Sequence, residues 1–242
     1  MELHRFSRME LLVGEDGLGK LARSSIAVFG VGGVGSYAVE ALVRAGVGRL
    51  TLVDFDDICI TNSNRQIHAS DDTVGRVKVE VMAERCRSIN PGVQVEPRHS
   101  LYSAETSEEL LDRGYDYVLD CIDHITGKLH LIQTCKQRGL PIIASMGAAN
   151  KLDPTQVKVA DLFETEKCRL ARIIRKELRR RGITRDVKVV YSTEEFRPIS
   201  DATPVGDNRK VILGSSSFIP PIFGLTMAGE VIGELLGESS AS

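Results

Sequence analysis

Cysteine is scarce in this chain, and Cys59, Cys86, Cys121, Cys135 and Cys168 are so scattered that no two form a C-x-x-C pair. An odd, widely spaced set excludes a disulfide framework and a four-thiolate zinc site, and fits the reduced thiols of a cytoplasmic protein. The opening residues Met1-Glu2-Leu3-His4-Arg5 lack the apolar run of a secretory signal. No long apolar run is free of interruption either: residues 218–236 carry Pro220, Pro221, Glu230 and Glu234, and acids are costly at a bilayer centre. That stretch reads as a buried helix, with no membrane partner. Net charge is nearly absent, at -2, so nothing draws the whole molecule to nucleic acid or acidic membranes, and any polyanion contact must be local. The five histidines, His4, His68, His99, His124 and His130, show no H-x-x-x-H spacing and read as surface or internally satisfied residues. There is no internal repeat and no low-complexity linker.

Present instead is the run Gly30-Val31-Gly32-Gly33-Val34-Gly35, directly after the apolar Ile26-Ala27-Val28-Phe29, with Asp54 closing a second apolar run. Glycines are needed where a chain turns sharply off a strand, brings its backbone against a phosphate and packs the next helix closely. The phosphate then meets free amides at the helix N-terminus. An acid about 20 residues on is at the distance that reaches a ribose hydroxyl. Gly30, Gly32, Gly33, Gly35 and Asp54 are therefore candidate nucleotide-binding residues.

Periodicity predicts strands at 25–30, 49–54, 93–97, 116–121 and 141–146, and helices at 33–45, 74–88, 105–112 and 126–138. Such alternation means an α/β fold: a Rossmann-like, mainly parallel sheet with helices on both faces. At 242 residues the chain suits one large domain, with a nucleotide-binding half (1–150) and a second half (151–242) that packs on the same sheet. After residue 150 the pattern yields a basic helix at 167–181, a short strand at 187–192, a polar segment at 196–210 and the apolar helix. Ligands of parallel sheets bind beyond the carboxyl ends of the strands, which directs attention to residues 30–35, 54–66, 121–128 and 145–153.

The segment Asp54-Phe55-Asp56-Asp57-Ile58-Cys59-Ile60-Thr61-Asn62-Ser63-Asn64-Arg65-Gln66 combines acids with Asn62 and Arg65. A dinucleotide dehydrogenase has no use for an arginine aimed at polyphosphate. Adenylation of a carboxylate does, because charge builds on the α-phosphate as pyrophosphate leaves. Lys78 and Asp123 are further candidates, while Asp56 and Asp57 read as turn-stabilising. Asp123 could equally cap the helix that follows it, and Asn62 could simply hold a turn.

These residues resemble the ThiF and MoeB adenylyltransferases of the ubiquitin-activating-enzyme-like superfamily, through D-x-D-x-I-x-x-x-N-x-x-R-Q at 54–66 and G-x-x-K at 75–78. The resemblance implies ATP as cofactor, with Asp54 on its ribose, Asn62, Arg65 and Lys78 around the phosphates, and Asp123 on Mg²⁺. Arg5-Phe6-Ser7-Arg8 is similar to that superfamily's R-x-x-R, which implies that Arg8 acts in trans within a homodimer. Later segments, namely residues 147–154, 170–172 with 175–179, 191–194 and 214–221, resemble the branch of tRNA threonylcarbamoyladenosine dehydratases. What this branch implies is activation of the threonylcarbamoyl carboxylate beside the anticodon, then ring closure with formal loss of water. Absence of paired C-x-x-C motifs and of a crossover cysteine favours this branch, because the nucleophile already sits in the substrate at high effective molarity.

From Lys167 to Lys188 ten lysines and arginines face only Glu177 and Asp186. At helical spacing Arg169, Arg172, Lys176 and Arg179 share one side, and Arg175 lies on the same helix. Leu170, Ile173, Ile174 and Leu178 form the stripe expected to dock on the core. The ridge is the candidate tRNA-binding surface. Cys168 has the cationic neighbours a nucleophilic thiol would use but no recognisable partner base, and reads as a bystander. Asn150, Lys151 and Asp153 suit a substrate contact, a monovalent cation or a plain polar turn. A cysteine desulfurase or sulfur acceptor is a candidate partner of this enzyme, and the rival reading is activation of a ubiquitin-like sulfur carrier. A noncatalytic nucleotide-binding scaffold and a nicotinamide dehydrogenase are the remaining rivals.

Overall fold

Short runs of aliphatic and β-branched residues make the strands, and in the centre of the sheet they are buried on both faces. The computed structural model describes residues 3–197 and 213–238. Its strands are β1 (Ser25–Phe29), β2 (Arg49–Asp54), β3 (Gln94–His99), β4 (Tyr117–Asp120), β5 (Ile142–Ser145), β6 (Val157–Asp161) and β7 (Lys188–Ser192). They form one seven-stranded sheet in the order β3-β2-β1-β4-β5-β7-β6. All pairings are parallel except β6 with β7. Every residue of β1, β4 and β5 is buried, as a parallel sheet covered on both sides requires. The edge strands β3 and β6 are only partly covered, and Pro97 sits in β3, where a missing N–H is tolerated.

The helices are α1 (Ser7–Arg23), α2 (Gly35–Ala45), α3 (Lys78–Ile89), α4 (Ser107–Leu111), α5 (Ile125–Arg138), α6 (Arg169–Arg180) and α7 (Ile219–Leu236). Alternate residues of β1 divide the core in two. Ile26 and Val28 face a cluster with Leu42, Met82, Phe223 and Met227, from α2, α3 and α7. Ala27 and Phe29 face Leu110, Leu131, Ile132, Ile174 and Leu178, from α4, α5 and α6. The apolar helix α7 belongs to the first cluster. A Cβ at Gly224 would stand 2.2 Å from Val34 O, so α7 lies directly on the start of α2. Its acids face Lys188, whose Nζ is 3.0 Å from Glu230 and 2.5 Å from Glu234.

Two elements were not anticipated, α1 and the antiparallel edge strand β6. Helix α3 starts at Lys78 rather than 74, because Gly75 has φ +83° and Asp57 bridges Val77 in extended backbone. Helix α2 starts at Gly35 rather than 33. The polar segment read at 196–210 lies, from residue 198 on, outside the described residues.

One charge pair is wholly inside this frame. Asp120 ends β4, and its carboxylate is 2.9 Å from Lys128 Nζ of α5, both side chains being fully buried. Burial pushes the Asp120 carboxyl up, opposed by the Lys128 charge. Removing one partner strands the other, so Lys128→Met is expected to cost about 3–5 kcal/mol. Urea unfolding checks this: adding Asp120→Leu should recover most of the loss, and a double variant as weak as the single one would mean the pair itself is not the cause.

Candidate active site

At the carboxyl end of β1 the chain turns through Gly30, in left-handed backbone at φ +89°, where a Cβ would lie 2.7 Å from Cys121 O. At Gly35 a Cβ would meet Gly30 O at 1.9 Å, so only glycine lets α2 start this close to the strand. Val34 precedes the helix and supplies no side-chain cap, which leaves first-turn amides for an anion. The turn is tied to β2 by Asp54, whose buried carboxylate accepts Val31 N–H at 2.6 Å and Asp56 N–H at 2.9 Å. Burial raises its pKa, while nearby Lys78 and the two amides pull it down.

Residues 60–78 wrap around this turn. Asn62 closes the 3₁₀ turn Ile60–Asn62: its Oδ1 accepts Cys59 N–H at 3.0 Å. Arg65 lays its stem over Gly33, where a Cβ would be 3.2 Å from Arg65 Cγ. Its Nη1 donates to Thr61 O at 3.0 Å and Asn64 Oδ1 at 2.9 Å. Asn64 Nδ2 donates to Ser215 O at 2.8 Å, and Pro220 touches the Gly33 position, so the segment before α7 closes the turn from the other side. Lys78, the buried first residue of α3, places Nζ 2.6 Å from Asp56 Oδ2. Asp56 is thus the missed partner of a candidate phosphate lysine. Its signal lay in a non-local pairing, since Lys78 N–H donates to Asp56 O and Ile58 N–H to Arg76 O.

Beyond β4, His124 rather than Asp123 caps α5, with Nδ1 accepting Gly127 N–H at 3.0 Å. Asp123 is exposed, with no hydrogen-bond or ion-pair partner among the described residues. Arg8, in the first turn of α1, is exposed too. Its neighbour Arg5 donates to Ile89 O at the far end of α3, and Phe6 lies by Gly46. That is the amino edge of the sheet, opposite the glycine turn. Gly30, Gly32, Gly33, Gly35, Asp54, Asn62, Arg65, Lys78 and Asp123 therefore share one edge of this chain, and Arg8 does not join them.

His68 departs from its expected role as a surface or satisfied residue. It is buried, and neither ring nitrogen has a hydrogen-bond partner among the described residues; the same holds for Gln66 Oε1. Burial, with Lys78 and Arg85 nearby, pushes the imidazole pKa down to about 4.

Helix α6 begins at the same carboxyl edge. Cys168 caps it, Sγ accepting Ala171 N–H at 3.5 Å, and packs with Leu170 near Gly147, just after β5. The docking face is Ala171, Ile174 and Leu178. Ile173, expected in that stripe, is 42% exposed among the basic residues. Arg175 also departs from the predicted ridge: Nη1 donates to Thr165 O at 2.6 Å and Thr165 Oγ1 at 2.8 Å, bracing the turn before the helix. Arg172 and Lys176 are exposed, and Arg169 stands 4.3 Å over the Phe196 ring. In the adjoining loop Asp153 accepts Thr155 N–H at 3.0 Å and caps the turn Pro154–Gln156, the plain structural role. Lys151 donates to Glu194 O, and Asn150 Nδ2 to Arg197 O at 2.8 Å.

Residues 6–242 match the sequence profile of the ThiF family. The chain belongs to the ThiF family. Among ThiF-like proteins, a tRNA threonylcarbamoyladenosine dehydratase of Bacillus subtilis (strain 168) is 46% identical over 242 residues, 97% of this chain and 95% of the relative. The Escherichia coli enzyme of the same name, TcdA, solved in complex with ATP, superposes with a TM-score of 0.88 at 36% identity, covering 97% of this chain and 94% of its own. A molybdopterin-synthase adenylyltransferase of Salmonella typhimurium (strain LT2) is 36% identical over only 69% of this chain and 66% of its own length.

A histidine whose folded pKa is depressed contributes stability above its ordinary pKa, and that contribution is lost as pH falls through the folded value. For His68 the shift from 6.5 to about 4 corresponds to about 3 kcal/mol. The stability gap, taken as wild type minus His68→Leu, should fall by about that much between pH 7 and pH 4. Denaturant unfolding at both pH values tests this, and a gap independent of pH would show that burial does not hold the imidazole neutral.

Proposed function

We propose that this ThiF-family chain is an ATP-dependent tRNA threonylcarbamoyladenosine dehydratase that activates the carboxylate of the modified adenosine beside the anticodon and closes it into a ring. The observation that carries the reading is full-length likeness: the dehydratases match both halves of the chain, whereas the adenylyltransferase of molybdopterin synthase matches about two thirds of it.

In this reading the glycine turn and the first amides of α2 hold phosphate oxygens, and Asp54 takes the ribose. Arg65 and Lys78 stabilise the charge that leaves with pyrophosphate, while Asn62 fixes the turn that presents Arg65. Lys78 exchanges Asp56 for a phosphate oxygen when nucleotide arrives. The residues fit a divalent cation as well, since Asp123 is free of the capping role and faces outward at the sheet edge. Asp123 would hold Mg²⁺ by one carboxylate, with phosphate and water completing its shell, and the ion would neutralise triphosphate charge. The carboxylate oxygen bonds the α-phosphorus as pyrophosphate departs. A nucleophile of the same threonylcarbamoyl group then attacks the acyl carbon, and AMP leaves.

The remote position of Arg8 supports a homodimer in which each copy lends this arginine to its partner's site. Arg172, Lys176 and neighbouring cations of α6 contact the tRNA backbone in the cytoplasm. Activation of a ubiquitin-like sulfur carrier is the second reading, favoured by the partial match to the adenylyltransferase.

Mass spectrometry of nucleosides from tRNA bearing threonylcarbamoyladenosine, incubated with the protein, ATP and Mg²⁺, should show loss of one water that depends on ATP. An unchanged nucleoside beside carrier-dependent ATP–pyrophosphate exchange would select the second reading. Arg65→Ala and Asp123→Ala should fold normally and lose about 10²–10³ in kcat; near-native turnover of either would remove its assigned role. Mixing inactive Arg8→Ala with inactive Asp123→Ala should restore about a quarter of wild-type activity, because half of randomly exchanged dimers hold one intact site of two. A mixture that stays inactive after subunit exchange would exclude an arginine supplied in trans.

A further inference from the structure

We propose that Arg169 and Phe196 together form a stacking platform for an unpaired base of the RNA loop, a role separate from the phosphate contacts of the other ridge cations. The inference rests on the reading of tRNA as substrate.

The ridge holds two kinds of cation. Arg172 and Lys176 extend into solvent with no side-chain partner among the described residues. Mobile charges of this kind suit phosphates, whose recognition needs no fixed plane. Arg169 is different, because its guanidinium carbon lies 4.3 Å from the centroid of the Phe196 ring, so this cation rests on an aromatic face. The backbone beside the ring is held in turn. Arg197 N–H donates to Asn150 O at 3.3 Å, Asn150 Nδ2 returns to Arg197 O at 2.8 Å, and Arg197 Nε reaches Glu194 Oε1 at 2.9 Å. Glu194 is itself fixed, accepting Leu152 N–H at 2.9 Å and Asp153 N–H at 2.8 Å. Among the described residues Arg169 is exposed, so a guanidinium mounted on an aromatic ring beside a pinned backbone can take a second planar group.

Position agrees with that use. Arg169 is the first residue of α6, next to Cys168 and Leu170, which pack against Gly147 at the carboxyl edge shared with the glycine turn. The chain has no tryptophan, and Phe29, Tyr102, Tyr115, Tyr117, Tyr191 and Phe223 are buried in the core. Phe55 and Phe218 are exposed as well, but Phe196 is the ring at this edge that, among the described residues, bears a cation of the basic helix. An adenosine beside the anticodon lies in a single-stranded loop, and such loops are read by stacking on aromatic rings and arginine planes. A second pair, Arg179 over Phe163 at 5.5 Å, lies at the opposite end of α6, beyond β6 near the amino edge, and serves as an internal control.

The test is binding of threonylcarbamoyladenosine-bearing tRNA across a salt series, with turnover measured in parallel. Lysine keeps the charge of arginine but cannot stack as a plane. Arg169→Lys should raise Kd about tenfold while leaving the slope of log Kd against log salt as in wild type. Arg172→Gln should instead flatten that slope by about one, and Arg179→Lys should stay within about twofold of wild type. Phe196→Leu should follow Arg169→Lys; the KM for ATP should hold in every variant and reports intact folding. If Phe196→Leu fails to fold, Arg169→Lys decides alone. Wild-type affinity in Arg169→Lys, with wild-type turnover present, would overturn the platform and leave Arg169 a phosphate contact. No dehydration by the wild-type protein would overturn the substrate reading and the platform with it.

Discussion

The carboxylate of Asp54 joins the end of β2 to the turn that leaves β1, and most of the candidate site takes its position from that link. One oxygen accepts Val31 N–H within the glycine run, the other Asp56 N–H at the start of the following segment. With the turn anchored, α2 starts beside its own strand, and the segment carrying Arg65 folds back over Gly33. Burial makes ionised Asp54 costly, and the Lys78 charge offsets part of that cost. A ligand at this edge therefore meets a carboxylate whose electrostatics are already coupled to the lysine beside it.

Both edges of the sheet carry charged groups, with different partners. At the carboxyl edge lie Arg65, Asp123 and the head of α6, with Lys78 held by Asp56. At the opposite end Lys188 is balanced by Glu230 and Glu234, and Arg8 projects from α1 without a local partner. The exposed cations Arg169, Arg172 and Lys176 of α6 make a local positive surface in a nearly neutral chain, which suits approach of a polyanion there.

The central strands and their helices were legible because fully buried parallel strands read as continuous apolar runs, and the glycine turn because only glycine meets its geometry. Helix α1 was not: Gly14, Gly17 and Gly19 interrupt it, Gly14 breaks it at φ +72°, and Leu11 and Leu12 are exposed, so no clean stripe exists. Strand β6 is short, and its register is set by β7 rather than by its own composition. On α6 the docking face was misjudged because Ala171, a small residue, carries part of it while Ile173 faces solvent. Asp56 and His68 were misread for another reason. What distinguishes Asp56 is its ion pair with Lys78, and what distinguishes His68 is its burial, with Lys78 and Arg85 adding to the shift; no local pattern encodes either.

The seating of α7 on α2 also bears on how the molecule assembles. Residues 35–45 and 219–236 are remote in sequence, yet Gly224 presses on Val34 and Ser215 holds Asn64. During synthesis the glycine turn and its helix exist long before their cover, with Val39, Leu42 and Val43 lacking the surface that buries them. Closing so large a loop costs entropy before any contact repays it. Maturation of the nucleotide edge is thus a late event, and the nascent first half is the species most in need of protection from aggregation.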